Sequence, residues 1–438
     1  MISPRALLLV LLAAPGLAGG QAAAPAGPPA AGKRIVTLEE AVRSAVSLHP
    51  QLRQAQASAS AGEARTDEAR SGLLPQLDAT AGYERQGTNS TSPAARAAGA
   101  AGGHDLWSGQ LSLGQSLFDP GTYWSWRSAG SAAQSLRDAA DTARLDVISG
   151  VRAAFFAARA DRDLVRVAQE TVTNDQAHLR QTEAFVEVGT QPSIALAQSK
   201  SALATARLTL IQAQNAYDTA KAQLAQAMGL ATWDDFEVGD DTMPAVPGED
   251  GPLDPLLAEA LAARPELASL RAQQLAEEQV RSSSRTGYLP AVSAKGTYTE
   301  EGPSLGNTVS SWTAGLNLSW ALFDGGLTPA RVREADATLD ALRAQEEGLR
   351  TSIRVALEQA YLGVRAAVTS VQAATEAEVN AREQLRLAEG RYQAGAGSII
   401  ELGDAQVAES TAAAQRVQAE YNLGSARAAL VRALGRAD

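Results

Sequence analysis

Few side chains in this sequence are placed to do chemistry. Glu401 and Asp404 stand three residues apart, just beyond a glycine-rich turn, so both carboxylates fall on one face of a helix. Such a pair attracts cations, repels anions and, if repeated in symmetric copies, raises its own pKa values by crowding like charges. The alternative is an ordinary solvated helix face, where carboxylates are common. No catalytic partner accompanies the pair. There is no cysteine, which removes disulfides, thiolate metal sites, cysteine nucleophiles and the acylated cysteine of a lipoprotein. The three histidines, His49, His104 and His178, are scattered without ligand-like spacing. No phosphate loop, zinc signature or nucleophile elbow occurs. The expectation is a protein that is not an enzyme and needs no cofactor or metal.

The elements around the acidic pair are helical and long. Hydrophobic residues make up 45% of the 438 residues but aromatics only 5%, so much of the apolar content is alanine, which favours helix and close helix packing. A net charge of −11 argues against nucleic acid as a partner. At the N-terminus, Arg5 precedes the apolar run Ala6 to Ala14, and small residues follow. That is the pattern of an export signal over about 1–24, with a linker over 25–36. A short membrane anchor is the alternative, but a spanning helix needs about 20 apolar residues. A chain without such a helix can enter a membrane only as a barrel.

The mature chain is duplicated. His49-Pro50-Gln51-Leu52 answers to Arg264-Pro265-Glu266-Leu267, and Gly72-Leu73-Leu74-Pro75 to Gly287-Tyr288-Leu289-Pro290. Ser116-Leu117-Phe118-Asp119 answers to Ala321-Leu322-Phe323-Asp324, Gly189 to Gly395, and Ala227-Met228-Gly229 to Ala433-Leu434-Gly435. The repeats span 37–229 and 254–435, joined by a segment over 230–253. Each reads helix, strand, strand, long helix, turn, helix. Thr37 and Glu40 form a capping box at the first helix, and His49-Pro50 bends or restarts it. Asp119-Pro120 opens a helix running to about Glu187, and a return helix ends near Met228. The second half predicts helices over Pro255–Thr286, Pro329–Gln393, with Thr328 as N-cap, and Ser398–Leu434. Leu349, Ile353, Ala356, Ala360, Val364, Ala367, Val371 and Ala374 form a coiled-coil-like stripe. It misses at Glu378 and resumes at Ala381, Leu385, Ala388 and Tyr392.

Length sets the architecture. About 65 helical residues span roughly 100 Å, far beyond what a globular core needs, and a return helix of about half that length leaves room for the first helix stacked end to end with it. Between the helices, four segments alternate apolar and polar residues, over approximately 76–86, 106–118, 291–300 and 312–323. Each suits a tilted membrane strand with Trp and Tyr near its ends. The joining stretches Gln86 to Asp105 and Glu301 to Ser311 read as exposed loops. A soluble antiparallel sheet with one buried face is the bland alternative. Four strands cannot close a barrel in lipid, so copies must share one, and a hollow helical tube favours three copies over two.

In these features the chain resembles the TolC-like outer-membrane efflux protein family from about Thr37 to Gly435. The duplication carries the resemblance, together with Leu-Pro before the odd strands, Leu-Phe-Asp-x-Gly after the even ones, and the segment Arg391 to Asp404. It implies a mainly α fold: a homotrimer whose four strands per protomer build a shared twelve-stranded β-barrel in outer-membrane lipid, continued by a long coiled-coil-like α-helical barrel in the periplasm. It also implies a passive exit channel for efflux or type I secretion, docked to a periplasmic adaptor and an inner-membrane transporter. Glu401 and Asp404 match acidic positions lining the family's periplasmic aperture, and Tyr392 matches a tyrosine of its closing contacts, although its place on the apolar stripe equally suits core packing. Gly189, Thr190, Gln191 and Pro192, with Gly395, Ala396, Gly397 and Ser398, match the tips that meet the adaptor. The sequence departs from the family where Gly397 replaces a basic residue and Ala195 an acid of the polar lock. An exported coiled-coil scaffold or adhesin with a soluble sheet is the competing reading.

Overall fold

The computed structural model describes residues 34–88, 93–94, 102–231 and 235–437. The stretch read as an export signal lies outside these, as does most of the loop after Gln86. Helix α1 (Leu38–Leu48) starts at Thr37, whose hydroxyl accepts the Glu40 N–H at 3.2 Å. The chain breaks at His49, which is extended, and α2 (Pro50–Ser71) begins with proline in its first turn, where no N–H is missed. Two strands follow, β2 (Gln76–Thr88) and β3 (Gly102–Phe118). Then come the 68-residue α3 (Pro120–Glu187) and the return helix α4 (Ser193–Ala227). The second half repeats this order with α5 (Leu253–Ala263), α6 (Pro265–Arg285), β5 (Ala291–Ser304), β6 (Asn307–Ser319), the 67-residue α7 (Leu327–Gln393) and α8 (Ile399–Leu434).

Five details differ from expectation. The helix expected over Pro255–Thr286 breaks at Arg264, just as its counterpart breaks at His49, because the residue before proline is pushed out of the helical region. The cap of α7 is not Thr328: Gly326 holds that place at φ 89°, and the Asp324 carboxylate accepts the N–H groups of Gly326 at 2.9 Å and Thr328 at 2.7 Å. With Asp324 and two left-handed glycines making this corner, β6 ends at Ser319 and Trp320–Phe323 are not strand. Glu301 to Ser311 is not a loop either, since β5 and β6 run through it and only Leu305 and Gly306 lie between them. Finally, the segments taken as linkers each supply a three-residue strand, β1 (Arg34–Val36) and β4 (Phe236–Val238), paired in parallel.

Each long helix lies beside two short ones. α3 packs along α2 and then α4, and α7 along α6 and then α8; α3 also touches α6 and α8, joining the halves. The short helices meet end to end. The return helix α4 closes on Gly229 (φ 75°), where an added Cβ would sit 2.8 Å from the His49 Cα, and α8 closes on Gly435 (φ 79°) against Arg264. Left-handed glycine and proline break thus face each other once in each half. Around this level, midway along the rods, gathers the main core, with Phe155, Phe156, Leu224, Ile353, Leu357 and Leu434. Arg427 clamps the linking segment there by pairing with the buried Glu249 at 2.6 Å and donating to the Met243 carbonyl at 3.0 Å.

At one end of the rods β2, β3, β5 and β6 form an antiparallel sheet in that order. Its register aligns Ala79, Leu111, Tyr298 and Trp312 across all four strands. The aligned residues share one face, and it is open: Trp312 is 76% and Leu316 75% exposed in the single chain. Among the described residues, no helix is long and apolar enough to cross a membrane.

Candidate functional site

The other end of the rods carries the two helix turns. At the first, Gly189 adopts φ 77° and the Thr190 N–H donates to the Phe185 carbonyl at 2.9 Å, while extended Pro192 starts α4. At the second, Gly395 adopts φ 70°, and the N–H groups of Ala396 and Gly397 both donate to the Arg391 carbonyl at 2.9 Å. Ser398 then caps α8 by accepting the Glu401 N–H at 3.1 Å. In both turns glycine supplies the left-handed geometry that satisfies the carbonyls ending the long helix. Gly397 has a different duty. A Cβ there would come within 2.9 Å of the Tyr392 backbone nitrogen, so the turn folds tightly over the last turn of α7.

Glu401 and Asp404 lie on the exposed side of the first two turns of α8. Arg391 stands 3.5 Å from Glu401 across the turn, a contact between half-exposed groups that screens one carboxylate. Asp404 makes no ion pair among the described residues. Tyr392 points the other way. It is 1% exposed, meets the Phe185 ring edge-on with centroids 5.9 Å apart, and shares a 3.2 Å hydrogen bond with Thr182, which accepts another from Ser199. Its ring is therefore core, tying α7 to α3 and α4. Ala195 is also buried, beneath the first turn of α4.

Further from the turns lies a set of titratable groups to which the sequence assigned no role. Glu378, where the apolar stripe misses, is 6% exposed and occupies the seam as a buried ion. It pairs with Arg382 at 2.7 Å and with Arg416 from α8. Burial pushes the nearby Glu409 carboxyl up; Arg382 opposes this, while Glu378, Glu170 and Glu389 reinforce it. On α3, burial also raises Asp175, with His178 pulling it back. His178 Nε2 lies 3.5 Å from Glu389. Residues at heptad-like spacing that are charged, as Glu378 is, were the available signal; Asp175 and His178 gave none. No group of three or more such side chains among the described residues is placed to hold a metal ion.

A duplicated chain of helical rods, each roughly 100 Å long by its residue count, ending at one side in an open apolar-faced sheet and at the other in two tight turns, has the architecture of an outer-membrane channel chain. The family model described as outer membrane efflux protein matches residues 41–230 and 256–436, one stretch in each repeat. The chain belongs to that family, and its place is the outer membrane. It is 25% identical over 398 residues to the outer membrane protein TolC of Salmonella enteritidis, covering 85% of this chain and 76% of that one. It is 28% identical over 410 residues to protein CyaE of Bordetella pertussis, covering 90% and 84%. Among solved structures, the Campylobacter jejuni CmeC outer membrane channel matches with a TM-score of 0.79 at 19% identity, covering 91% of this chain and 85% of that one. The family is that of outer-membrane efflux proteins, and this chain works in the same efflux setting.

Proposed function

We propose that this protein forms a homotrimeric exit channel that conducts solutes passively from a periplasmic adaptor and an inner-membrane transporter to the exterior. The observation that carries the reading is the four-stranded sheet with unpaired outer edges on β2 and β6 and an apolar face turned outward. Open edges are not tolerated in lipid, and three copies of this sheet close a barrel of twelve strands, well within the range of outer-membrane barrels. A barrel closed by two copies would have the smallest known lumen, too narrow to continue a tube walled by these helices.

The narrow point of the conduit is assigned to the turn end of α8. Three copies of Glu401 and Asp404 around one axis make a ring of fixed negative charge that favours cations. Asp404 contributes most, since Arg391 screens Glu401. Tyr392 acts behind the ring, as the anchor holding α7 in place. The turns Gly189 to Pro192 and Gly395 to Ser398, at the far end of the rods, are the surface offered to the adaptor.

The test is single-channel recording of the full mature chain in a planar bilayer. The expected result is a conducting oligomer that prefers cations and is blocked by multivalent cations from the periplasmic side. In the Glu401→Ala, Asp404→Ala double variant the preference falls and the block weakens. Unchanged selectivity would remove the ring, and a non-conducting monomer would remove the channel.

A further inference from the structure

On the side of α3 between α4 and α8, a groove of 1080 Å³ runs along the lower half of the rods. It extends roughly 20 Å, judged from the helical positions that line it at 1.5 Å per residue. Its floor is apolar, made by Leu164, Val167 and Ala168, and its walls carry hydroxyl and amide groups. No lysine or arginine lines it. At the turn end it continues into a smaller cavity of 210 Å³, and there both carboxylates of the groove, Asp175 and Asp404, come together with Gln198 and Gln406.

Asp175 is the unusual member. It is 8% exposed and, among the described residues, makes no hydrogen bond or ion pair; only the field of His178 acts on it. The Gln406 amide nitrogen and His178 Nδ1, in the same cavity wall, are buried without a protein partner, while the Asp175 carboxylate lines the cavity itself. A carboxylate largely withdrawn from water and facing a groove is stabilised by a cation or donor that enters there. The groove therefore presents an apolar bed about the length of a small amphiphile, closed at one end by two acids. Volume, charge and the absence of cationic side chains all match one ligand class.

We propose that this groove binds an amphipathic organic monocation, its apolar body on Leu164, Val167 and Ala168 and its ammonium group between Asp175 and Asp404. The bound ligand would bridge α4 and α8. The proposal adds a saturable site to the wall of the proposed conduit, and it differs from the acidic ring by requiring Asp175, which lies inside the groove on α3 and not at the turns. It rests on the channel reading only in that the groove must stay open in the assembled oligomer.

The probe is 4-phenylbutylamine, protonated at neutral pH, titrated calorimetrically into the full chain reconstituted in lipid nanodiscs, with 4-phenylbutyrate as the anionic control. Saturable binding of the amine without binding of the acid is expected, and Asp175→Asn should weaken it at least about tenfold, the loss expected for a charge-assisted hydrogen bond. Ala202→Phe, which fills the groove from an exposed position on α4, should abolish binding even if Asp175→Asn fails to assemble. Equal affinity in both variants, equal binding of amine and acid, or no binding to the native oligomer because a neighbouring protomer covers the groove would each overturn the site. Conductance measured on the same preparations separates the two readings: a conducting native protein that ignores the amine sinks this inference alone, whereas binding without conductance sinks the channel.

Discussion

The middle of the rods and their turn end are built from the same helices by opposite means. At the middle, large apolar side chains from both repeats interlock, with Phe155, Ile353, Leu357 and Leu434 at or near zero exposure, and charges are matched by arginine. Arg427 holds Glu249, Arg432 holds Glu266, and Arg436 holds Glu259. At the turn end the core shrinks to Leu385, Ala388, Tyr392, Leu402 and Ala405, and the surrounding seam carries carboxylates, Asp175 buried and Glu409 partly so, that lack full compensation. One region is made to be fixed. The other is held by few contacts and many titratable groups, which is how a movable constriction on a fixed frame would be made.

The largest expected effect tests the frame. Leu357→Ala empties a fully buried site and should cost about 3 kcal/mol or more, since the surrounding helices are too constrained to collapse into the gap. The check is loss of the heat-modifiable oligomer in outer-membrane fractions. Leu385→Ala, the same change at the less enclosed turn end, should leave the oligomer assembled. Comparable losses at both sites would erase the distinction.

Next comes the buried acid of the seam. Arg416→Leu leaves Glu378 with Arg382 as its remaining partner and should cost about 1–2 kcal/mol, less than a fully buried pair because Arg416 is itself a third exposed. Glu378→Leu in the same background should recover much of it, because the apolar stripe would then be continuous. Failure of that rescue would show the acid to be needed for more than packing.

That same residue shows what the sequence could and could not reveal. The period of the stripe located α7 and its partner face, and the Pro, Gly and Phe-Asp matches located both repeats, because each rests on a local backbone requirement. A charged residue on the seam reads as an interruption, since its partner Arg416 lies on the next helix and no local rule connects them. Asp175 was invisible for a similar reason: one acid among the polar positions of α3 acquires meaning only when α4 and α8 wall it in. Glu301 to Ser311 looked like a loop because it is polar and holds two glycines, yet pairing with a neighbouring strand overrides that composition. Glu401 and Asp404 stood out through position beside the turn, but Arg391, quoted in the same segment, showed its contact with Glu401 only in three dimensions.

A smaller effect belongs to the turns. Gly395→Ala forces a Cβ into the left-handed region and should cost about 1–2 kcal/mol locally. Hydrogen exchange should speed up at the end of α7 and the start of α8, with the middle of the rods unchanged. Gly189→Ala should do the same at the other turn. Propagation of either change to the main core would mean that the two regions fold as one unit.

The subtlest prediction concerns pH, where the two regions should respond with opposite sign. At the middle, the Arg436 hydrogen bond lowers Glu259, and at Glu266 burial, which raises the carboxyl, is outweighed by Arg432. These groups bind fewer protons folded than unfolded, so their stabilisation is present above the ordinary carboxylate range and is lost as pH falls through their depressed values. Near the turn end, burial raises Asp175 and Glu409, so the folded state there binds more protons than the unfolded one. Their destabilisation is present at neutral pH and is relieved as pH falls through values above the ordinary range. Acidification from neutrality should therefore slow hydrogen exchange around Asp175 and Glu409 first, and loosen the segments around Glu259 and Glu266 only at lower pH. Asp175→Asn and Glu409→Gln together should remove the first phase and leave the second, since the neutral side chains already lack the charge whose burial is costly. A single phase common to both regions would mean that the carboxylates of the seam are solvated at neutral pH and that the turn end is no looser than the frame.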